Sequence, residues 1–430
     1  MVAPSVTGLI ILGIMIVLFI LKPIPASAAG CLGCALMVLL GVVDFEAAFS
    51  GFSNSIVMLM AGAMVVGIAM FKTGAAQIIG RMVIKLSGGN ERVFLMASCI
   101  VSGVLSMFLA NTAILAAFIS IVDSVSRTSH NVNQRNMVLP LACAVMFGGA
   151  ATLIGCTPQL TANGIMSEMV GLQMGMWDLT GPGLTLFAVF LIYLFFFGYR
   201  YGERIWGDRC AVDMGIDEEK IRSVTEGQFD KWKVGLMLTI TVLMIVSYIT
   251  SFIPTALTAV AAALLCVIFG LCTVEDIEKE MDWNTIVFLA SCLGLAHGLT
   301  LAGSGELIAS FVSGLLGDVR SPIIIFAVLV FITLFISQFI TNSTAIIITL
   351  PIAISMCDLY GFNHMTFCIG ITLAASIACC TPLAAAQITM TQVAGYEFAD
   401  YFKYCFPLTV ICYIAIIVVV PFFFPILPLA

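Results

Sequence analysis

The stretch GGAATLIGCTPQ, residues 148–159, lies inside a long apolar run and cannot continue as a regular helix. Its glycines let the backbone leave helical geometry, while Pro158 removes a backbone donor and clashes with the preceding turn. A second stretch of the same kind, IACCTPLAAAQ at residues 377–387, follows in the other half of the chain. Each stretch therefore predicts a helix that is interrupted near its middle.

The composition of the whole chain places these breaks in a membrane. The 430 residues are 61% hydrophobic and only 10% charged, whereas a soluble chain carries roughly 25% charged residues. The net charge of −7 excludes a nucleic-acid binder, which needs a basic patch. Most of the 15 cysteines stand in apolar runs, away from any His or Asp at ligand spacing. The sequence therefore predicts neither a disulfide framework nor a metal centre built from a local motif.

Ten apolar runs, five in each half, are long enough to span a bilayer. They cover residues 5–21, 26–43, 55–71, 137–170, 179–199, 234–252, 255–271, 285–301, 366–393 and 405–424. Two further runs, 93–122 and 323–354, carry a polar interruption near the middle, at Asn111 and at Asn342. Polar backbone at that depth needs surrounding protein or a wet cavity. We therefore predict that both runs are re-entrant hairpins with polar tips.

The two halves repeat the same landmarks in the same order. NSIVML at residues 54–59 matches NTIVFL at 284–289, and CTP at 156–158 matches CTP at 380–382. Because five is an odd number of spans, the second half must be inverted relative to the first. We predict an all-α integral membrane protein with discontinuous helices, built from two inverted repeats. The first repeat covers residues 1–205, a cytoplasmic linker covers 206–232, and the second repeat covers 233–430.

The distribution of basic residues predicts the orientation of the chain. In this layout all of the 17 Lys and Arg residues except Arg320 fall on one side of the membrane. The positive-inside rule assigns that side to the cytoplasm. The expected protein is a multi-pass protein of the cell (inner) membrane with both termini outside the cytoplasm.

The tips and the breaks carry neutral polar side chains, chiefly Asn, Ser and Thr. Interrupted helices in inverted repeats are typical of secondary transporters, whose substrate binds near the midplane. Free backbone carbonyls suit a cation such as Na⁺, whereas helix N-termini with hydroxyl and amide donors suit an anion. A proton relay would use a carboxylate or a histidine, and the tips and breaks contain neither. One membrane Asn commonly makes only an interhelical hydrogen bond, but the matched Asn111 and Asn342 favour a functional role.

Several of these stretches resemble the divalent anion:sodium symporter family. They are FSGFSN at residues 49–54, LANT at 109–112 and TLIGCTPQ at 152–159, and the resemblance extends over nearly the whole chain. It implies a homodimer in the lipid bilayer that carries a small dianionic substrate together with Na⁺ by an elevator motion. It implies no organic cofactor and no nucleic-acid partner.

The resemblance also implies a set of ligands. The first Na⁺ site would use Ser106, Asn111 and the backbone at Gly155 or Cys156, and the second would use Ser337, Thr341, Asn342 and the backbone at Cys379 or Cys380. The substrate would contact Asn111, Thr112, Thr157, Pro158, Asn342, Ser343, Thr381 and Pro382. The first tip reads Ala-Asn-Thr where the family has Ser-Asn-Thr, so it lacks one hydroxyl. The first Na⁺ site departs more from the family pattern than the second.

Substrate and coupling remain open at this stage. Neutral donors fit a C4-dicarboxylate, a tricarboxylate or sulfate, and two separated tips favour two separated carboxylates. A sodium-independent anion exchanger is an alternative, as is an ion antiporter or metalloid-anion carrier of a related superfamily, which would need a titratable or thiol-rich site. A membrane-embedded enzyme would need clustered ionisable residues, whereas His130, His297 and His364 are scattered, so we expect no enzyme.

Overall fold

The computed structural model describes residues 3–21, 23–75, 78, 90–128, 132–206, 229–250, 252–305, 307, 321–383 and 385–427. Within these ranges the regular secondary structure is entirely helical. Seven of the described helices are long and apolar enough to cross a membrane, and four more are apolar but shorter. The predicted class, an all-α membrane protein with interrupted helices, is confirmed.

The first half contains ten α-helices in the described residues. They are α1 Pro4–Leu21, α2 Ala26–Leu39, α3 Phe45–Ala48, α4 Ser55–Lys72, α5 Glu91–Ser106, α6 Asn111–Thr128, α7 Gln134–Gly149, α8 Thr157–Val170, α9 Thr180–Tyr193 and α10 Tyr199–Trp206. A π-helical segment, Leu194–Gly198, joins α9 to α10. A 3₁₀ turn, Ser50–Ser53, leads into α4, whose first turn is capped by the Asn54 side chain.

The second half repeats this series. Its helices are α11 Lys231–Thr250, α12 Thr255–Ile268, α13 Val274–Glu280, α14 Trp283–Leu301, α15 Pro322–Ser337, α16 Asn342–Tyr360, α17 His364–Ser376, α18 Ala386–Met390 and α19 Phe398–Phe423. A 3₁₀ turn, Thr391–Ala394, follows α18. Of the predicted linker 206–232, residues 207–228 lie outside the described residues.

Equivalent helix caps stand at corresponding positions in the two halves of the chain. Asn133 accepts a hydrogen bond from the Arg135 amide and starts α7, and Asn363 accepts one from the Met365 amide and starts α17. An N-cap side chain of this kind satisfies one of the amides that a helix start leaves unpaired. The hairpins match as well, because α5 and α15 each have 16 residues and end five residues before an asparagine that starts the next helix.

The described helices pack in two groups. In the first group, α4 packs along α12 and α2 packs along α14. Each of these contacts joins a helix of the first half of the chain to a helix of the second half. In the second group, α5 packs on α7, α15 and α16 pack on α17, and α9 packs on α19. Small residues permit the close approaches: a Cβ on Gly62 would lie 2.6 Å from the backbone of Ala259.

Helix α8 connects the two groups. It packs on α16 of the second group and on α14 and α4 of the first. At the contact with α14, a Cβ on Gly164 would lie 2.3 Å from a methyl of Leu293. This helix starts at the first break, so the interface between the groups is joined directly to the candidate site.

Candidate functional site at the hairpin tips

Both hairpin tips and both breaks meet at one cavity of about 610 Å³. From these four elements it is lined by Phe108, Leu109, Ala110, Asn111, Thr112, Ala113, Ile154, Gly155, Cys156, Thr157, Pro158, Leu160, Thr341, Asn342, Ser343, Ser376, Leu383, Ala385, Ala386, Gln387 and Thr389. Helix α4 adds an apolar wall that includes Met60, Met64 and Phe71. The structure therefore brings together residues that lie more than two hundred positions apart in the chain.

The first tip is held by a cluster of oxygen atoms. The Ser106 hydroxyl lies within hydrogen-bond distance of Asn111 Oδ1 and is 2.6 Å from the Val145 carbonyl oxygen. The Asn111 amide donates to Cys156 Sγ at 2.8 Å, which ties the tip to the end of the first break. Ser106 is fully buried and Asn111 nearly so.

The second tip repeats this arrangement. The Ser337 hydroxyl lies 2.9 Å from Asn342 Oδ1 and 3.0 Å from the Ala375 carbonyl oxygen. A hydroxyl has one hydrogen to donate, so it can satisfy only one of its two acceptor neighbours at a time. Three oxygen atoms thus share one proton at each tip, and this surplus of lone pairs favours a small hard cation.

The two breaks correspond in the structure through a different alignment from the one that their shared CTP sequence indicates. Thr152 donates from its hydroxyl to the Met107 carbonyl in the first tip, and Thr381 donates in the same way to Gln338 in the second. Cys156 and Ala385 precede the following helices with nearly equal backbone angles, φ −140° and −141°. The counterpart of Thr381 is therefore Thr152, and the match of CTP with CTP is out of register.

This register determines which predicted residues reach the cavity. Thr157 and Pro158 start α8 and line it, with Pro158 in the first turn, where a missing amide is harmless. Thr381 and Pro382 lie in the loop before α18, and Thr381 is buried. Neither is among the residues that line the cavity in the described part of the chain. Their places are taken by Ala385, Ala386 and Gln387.

The predicted cation ligands divide in the same way. Asn111, Gly155, Cys156, Thr341 and Asn342 line the cavity. Ser106, Ser337, Cys379 and Cys380 are buried behind it. The Cys380 amide donates to the Gln338 side chain at 2.9 Å, which fixes the second break against the second tip.

Three helices begin at the cavity wall and present their N-termini to it. They are α6, α8 and α16, each at least 14 residues long. Asparagine caps close several other helices, but neither Cys156 nor Thr341 caps its helix through a side-chain hydrogen bond among the described residues. The first-turn amides of α8 and α16 therefore remain available, and the helix dipole favours an anion there.

Charged groups lie only at the rim of the cavity in the described part of the chain. Glu280 pairs with Lys72 at 2.6 Å, and Asp282 accepts from the Thr285 amide at 3.0 Å. Lys72 also lies 2.8 Å from Asp276 and holds the pKa of that carboxyl well below its usual range. The described lining contains no Lys, Arg or His, so an anion must be held by neutral donors, helix ends or a cation.

Two ionisable side chains that the sequence did not predict to meet, Glu168 on α8 and His297 on α14, form a pair. His297 Nδ1 lies 2.9 Å from Glu168 Oε2, and the Asn54 amide donates to Glu168 Oε1 at 2.8 Å. These contacts join α8 to α14 and to the start of α4, two helices of the first group. Glu168 and His297 stand out as polar residues within apolar runs, but their spacing in the sequence does not indicate that they contact each other.

Two glycines allow the first break to pass beside Asn111. A Cβ on Gly155 would lie 2.1 Å from the Gly149 carbonyl oxygen. A Cβ on Gly149 would lie 2.7 Å from the Asn111 side-chain nitrogen and 2.7 Å from Cys156 Sγ. A side chain at Gly155 would displace the Gly149 backbone, and a side chain at Gly149 would displace Asn111 or Cys156.

Gly149→Ala should therefore reduce transport strongly without unfolding the protein. Overpacking of this kind costs about 1–3 kcal/mol, and here the shift falls on Asn111. We expect uptake in reconstituted vesicles to fall more than about tenfold. Gly235→Ala is the matched control, because its Cβ would meet nothing within 4 Å. Equal uptake by the two variants would contradict the assigned position of Asn111.

Sequence comparison places the chain among known transporters. The profile of the citrate transporter family, CitMHS, matches residues 16–329 and 315–429. The sodium-dependent dicarboxylate transporter SdcS of Staphylococcus aureus is 23% identical over 393 residues, which cover 85% of this chain and 75% of SdcS. An uncharacterized transporter of Synechocystis, sll0640, is 30% identical over 179 residues, which cover 42% of this chain and 29% of that protein.

Two solved transporter structures share the fold. MtrF of Neisseria gonorrhoeae, presented as one of a class of antimetabolite efflux pumps, aligns with a TM-score of 0.63 at 15% identity, over 100% of this chain and 96% of MtrF. YdaH of Alcanivorax borkumensis aligns with a TM-score of 0.62 at 13% identity, over 92% of this chain and 90% of YdaH. The family profile covers almost the whole chain. The chain belongs to the citrate transporter family, and it fits the wider divalent anion:sodium symporter family that its motifs resemble.

Proposed function

We propose that this membrane transporter carries a small divalent anion, a C4-dicarboxylate, together with Na⁺. One observation carries the proposal: a single cavity joins two matched oxygen clusters and three helix N-termini, and no basic side chain is present in its described lining. The oxygen clusters suit cations and the helix ends suit an anion. A site that binds the anion together with Na⁺ needs no basic side chain, because the co-transported ion supplies the positive charge.

The two oxygen clusters are the proposed Na⁺ sites. The first consists of Ser106, Asn111 and the Val145 carbonyl, with the backbone at Gly155 and Cys156 nearby. The second consists of Ser337, Asn342 and the Ala375 carbonyl, with Thr341 and the backbone at Cys379 and Cys380. In each site a bound ion would replace the hydrogen bond between serine and asparagine, so that both oxygens turn toward the ion.

The proposed substrate lies between the two tips. One carboxylate would accept from the first-turn amides of α6 and α8 near Asn111, Thr112 and Thr157, and the other from α16 near Asn342 and Ser343. Of the remaining predicted contacts, Pro158 shapes the wall. Thr381 holds the second tip from behind, and neither Thr381 nor Pro382 is in the described cavity lining, so we propose the lining residues Gln387 and Ser376 as polar substrate contacts instead.

We further propose an elevator motion of the second helix group relative to the first, within a homodimer. Support for the motion comes from the division of the described helices into two groups joined through α8. The cavity reaches Phe71, Glu280 and Asp282, at the ends of α4, α13 and α14. The positive-inside rule assigns this end to the cytoplasm, so the proposed state faces inward. The homodimer rests on the family resemblance.

Citrate is the second candidate substrate, because the profile that matches the chain describes citrate transporters. The cavity volume of about 610 Å³ accommodates either anion. The spacing of the two tips distinguishes them, since two groups of anion donors match two carboxylates rather than three.

Competition for uptake tests the substrate. Labelled succinate should enter proteoliposomes in Na⁺ buffer and be displaced by unlabelled succinate, fumarate or malate at concentrations well below those of citrate or sulfate. Each carboxylate that meets its helix end gains an interaction that sulfate, with one charged centre, cannot make twice. Stronger competition by citrate would assign the tricarboxylate as substrate, and stronger competition by sulfate would reject carboxylates altogether.

A further inference from the structure

Three buried thiols meet beside the second break. Cys143 lies on α7, Cys379 lies in the loop after α17, and Cys405 lies on α19. Their sulfur atoms all lie within 4.8 Å of one another, and none of the three side chains is exposed. The proposed transport function uses none of these sulfur atoms.

The spacing of the sulfur atoms suits one ion bound by all three. With ion–sulfur bonds of about 2.3 Å, three sulfurs around one ion lie roughly 3–4 Å apart, closest together when the ion is pyramidal. Outside this group, Cys379 has two further polar neighbours among the described residues, the thiol of the adjacent Cys380 and the Thr409 hydroxyl at 3.7 Å, but only the three clustered sulfur atoms all lie within 4.8 Å of one another. The described cluster is therefore a three-sulfur site, which favours a soft, thiophilic ion.

The buried surroundings favour a particular ionic charge. The neighbours of these cysteines in the chain include Ala142, Ala378 and Tyr404, which are buried and uncharged. Three thiolates carry three negative charges, so a monovalent or divalent ion would leave a net charge in an apolar interior. An uncompensated buried charge is costly. A trivalent ion leaves no net charge.

We propose that Cys143, Cys379 and Cys405 form a binding site for a trivalent thiophilic ion, for which arsenic(III) is the probe. At neutral pH arsenous acid, As(OH)₃, is uncharged and can enter without a counter-ion. Three As–O bonds break, three As–S bonds form, and the three thiol protons leave with the three hydroxides as water. Arsenic stays in the +3 state, so the reaction needs no oxidant or reductant.

The bound ion would link three separate elements. Cys143 belongs to the first half of the chain, whereas Cys379 and Cys405 belong to the second. Cys379 stands two residues before Thr381, which holds the second tip. Occupancy would therefore fix the second break relative to α7 and α19.

Arsenic retention by the full-length protein tests the site. Detergent-purified protein is incubated with sodium arsenite, desalted and analysed for arsenic per chain. We expect one arsenic per chain, with X-ray absorption showing three sulfur ligands. Cys143→Ala, Cys379→Ala and Cys405→Ala should each lower retention at least about tenfold while the gel-filtration profile stays that of the wild type.

Other thiols in the chain supply matched controls. Cys31→Ala with Cys34→Ala removes a thiol pair on α2, and Cys380→Ala removes the thiol adjacent to Cys379; all of these should retain arsenic as the wild type does. Loss in Cys380→Ala with retention in Cys405→Ala would assign binding to the vicinal pair and overturn the proposal. Oxygen ligands in the wild-type spectrum would overturn it without any variant. Equal or tighter retention of Cd²⁺ would contradict the charge argument.

Discussion

Replacing Asn342 with alanine should reduce uptake to the level of empty vesicles, and Asn111→Ala should do the same. If these residues only packed helices together, each loss would cost about 0.6 kcal/mol, the typical value for a membrane hydrogen bond. Here each side chain lies at the start of a helix that faces the cavity and within hydrogen-bond distance of a serine hydroxyl. One substitution therefore removes a cation ligand and a substrate contact together.

Asn363→Ala is the control for both variants. Its Oδ1 accepts a hydrogen bond from the Met365 amide at 3.0 Å at the start of α17, and the residue is not in the described cavity lining. Losing such a cap costs about 1 kcal/mol of stability, so expression should fall modestly while the affinity for substrate stays unchanged. Near-normal uptake by either tip variant, at equal expression, would show that its asparagine only packs helices together and would contradict its assignment as a ligand.

Ser337→Ala should change the Na⁺ dependence of uptake more than its maximal rate. The hydroxyl lies 2.9 Å from Asn342 Oδ1 and 3.0 Å from the Ala375 carbonyl oxygen, and it is buried behind the cavity. Losing one neutral ligand should raise the half-saturating Na⁺ concentration about three- to tenfold, the range that corresponds to a hydrogen bond of about 0.5–1.5 kcal/mol. The measurement is initial uptake against Na⁺ concentration at saturating substrate.

Ser102→Ala serves as the matched control for the serine at the first tip. It lies one turn before Ser106 on α5, is buried, and donates to the Cys99 carbonyl at 3.3 Å. We expect Ser106→Ala to shift the Na⁺ curve and Ser102→Ala to leave it unchanged. If both serines shift it equally, the effect comes from hairpin packing and the assigned cation site fails.

Local signals made the hairpins and the breaks predictable. The glycines and the proline in residues 148–159 disfavour a regular helix in any surroundings. The first break could therefore be predicted from the local sequence alone. The polar interruptions predicted helix–turn–helix hairpins, and the structure has them between Ser106 and Asn111 and between Ser337 and Asn342. These features depend on backbone chemistry within a few residues.

Features set by tertiary contacts could not be predicted in the same way. The register of the second break depends on the Thr381 hydroxyl reaching the Gln338 carbonyl in the second tip, a partner 43 positions away. The repeated CTP sequence instead aligned Thr381 with Thr157, because sequence identity carries no information about that hydrogen bond. The thiol cluster combines Cys143, Cys379 and Cys405 from distant positions, so no local ligand spacing exists to be found.

Replacing external Na⁺ with choline tests whether the movement of Na⁺ is coupled to that of the anion. Proteoliposomes free of internal anion substrate are diluted into labelled succinate with either Na⁺ or choline outside, and the membrane potential is clamped. Two matched sites predict concentrative uptake that rises sigmoidally with Na⁺, with Na⁺ and succinate each tightening the binding of the other. Uptake that proceeds equally in choline and requires an anion on the opposite side would show an exchanger and contradict both cation sites.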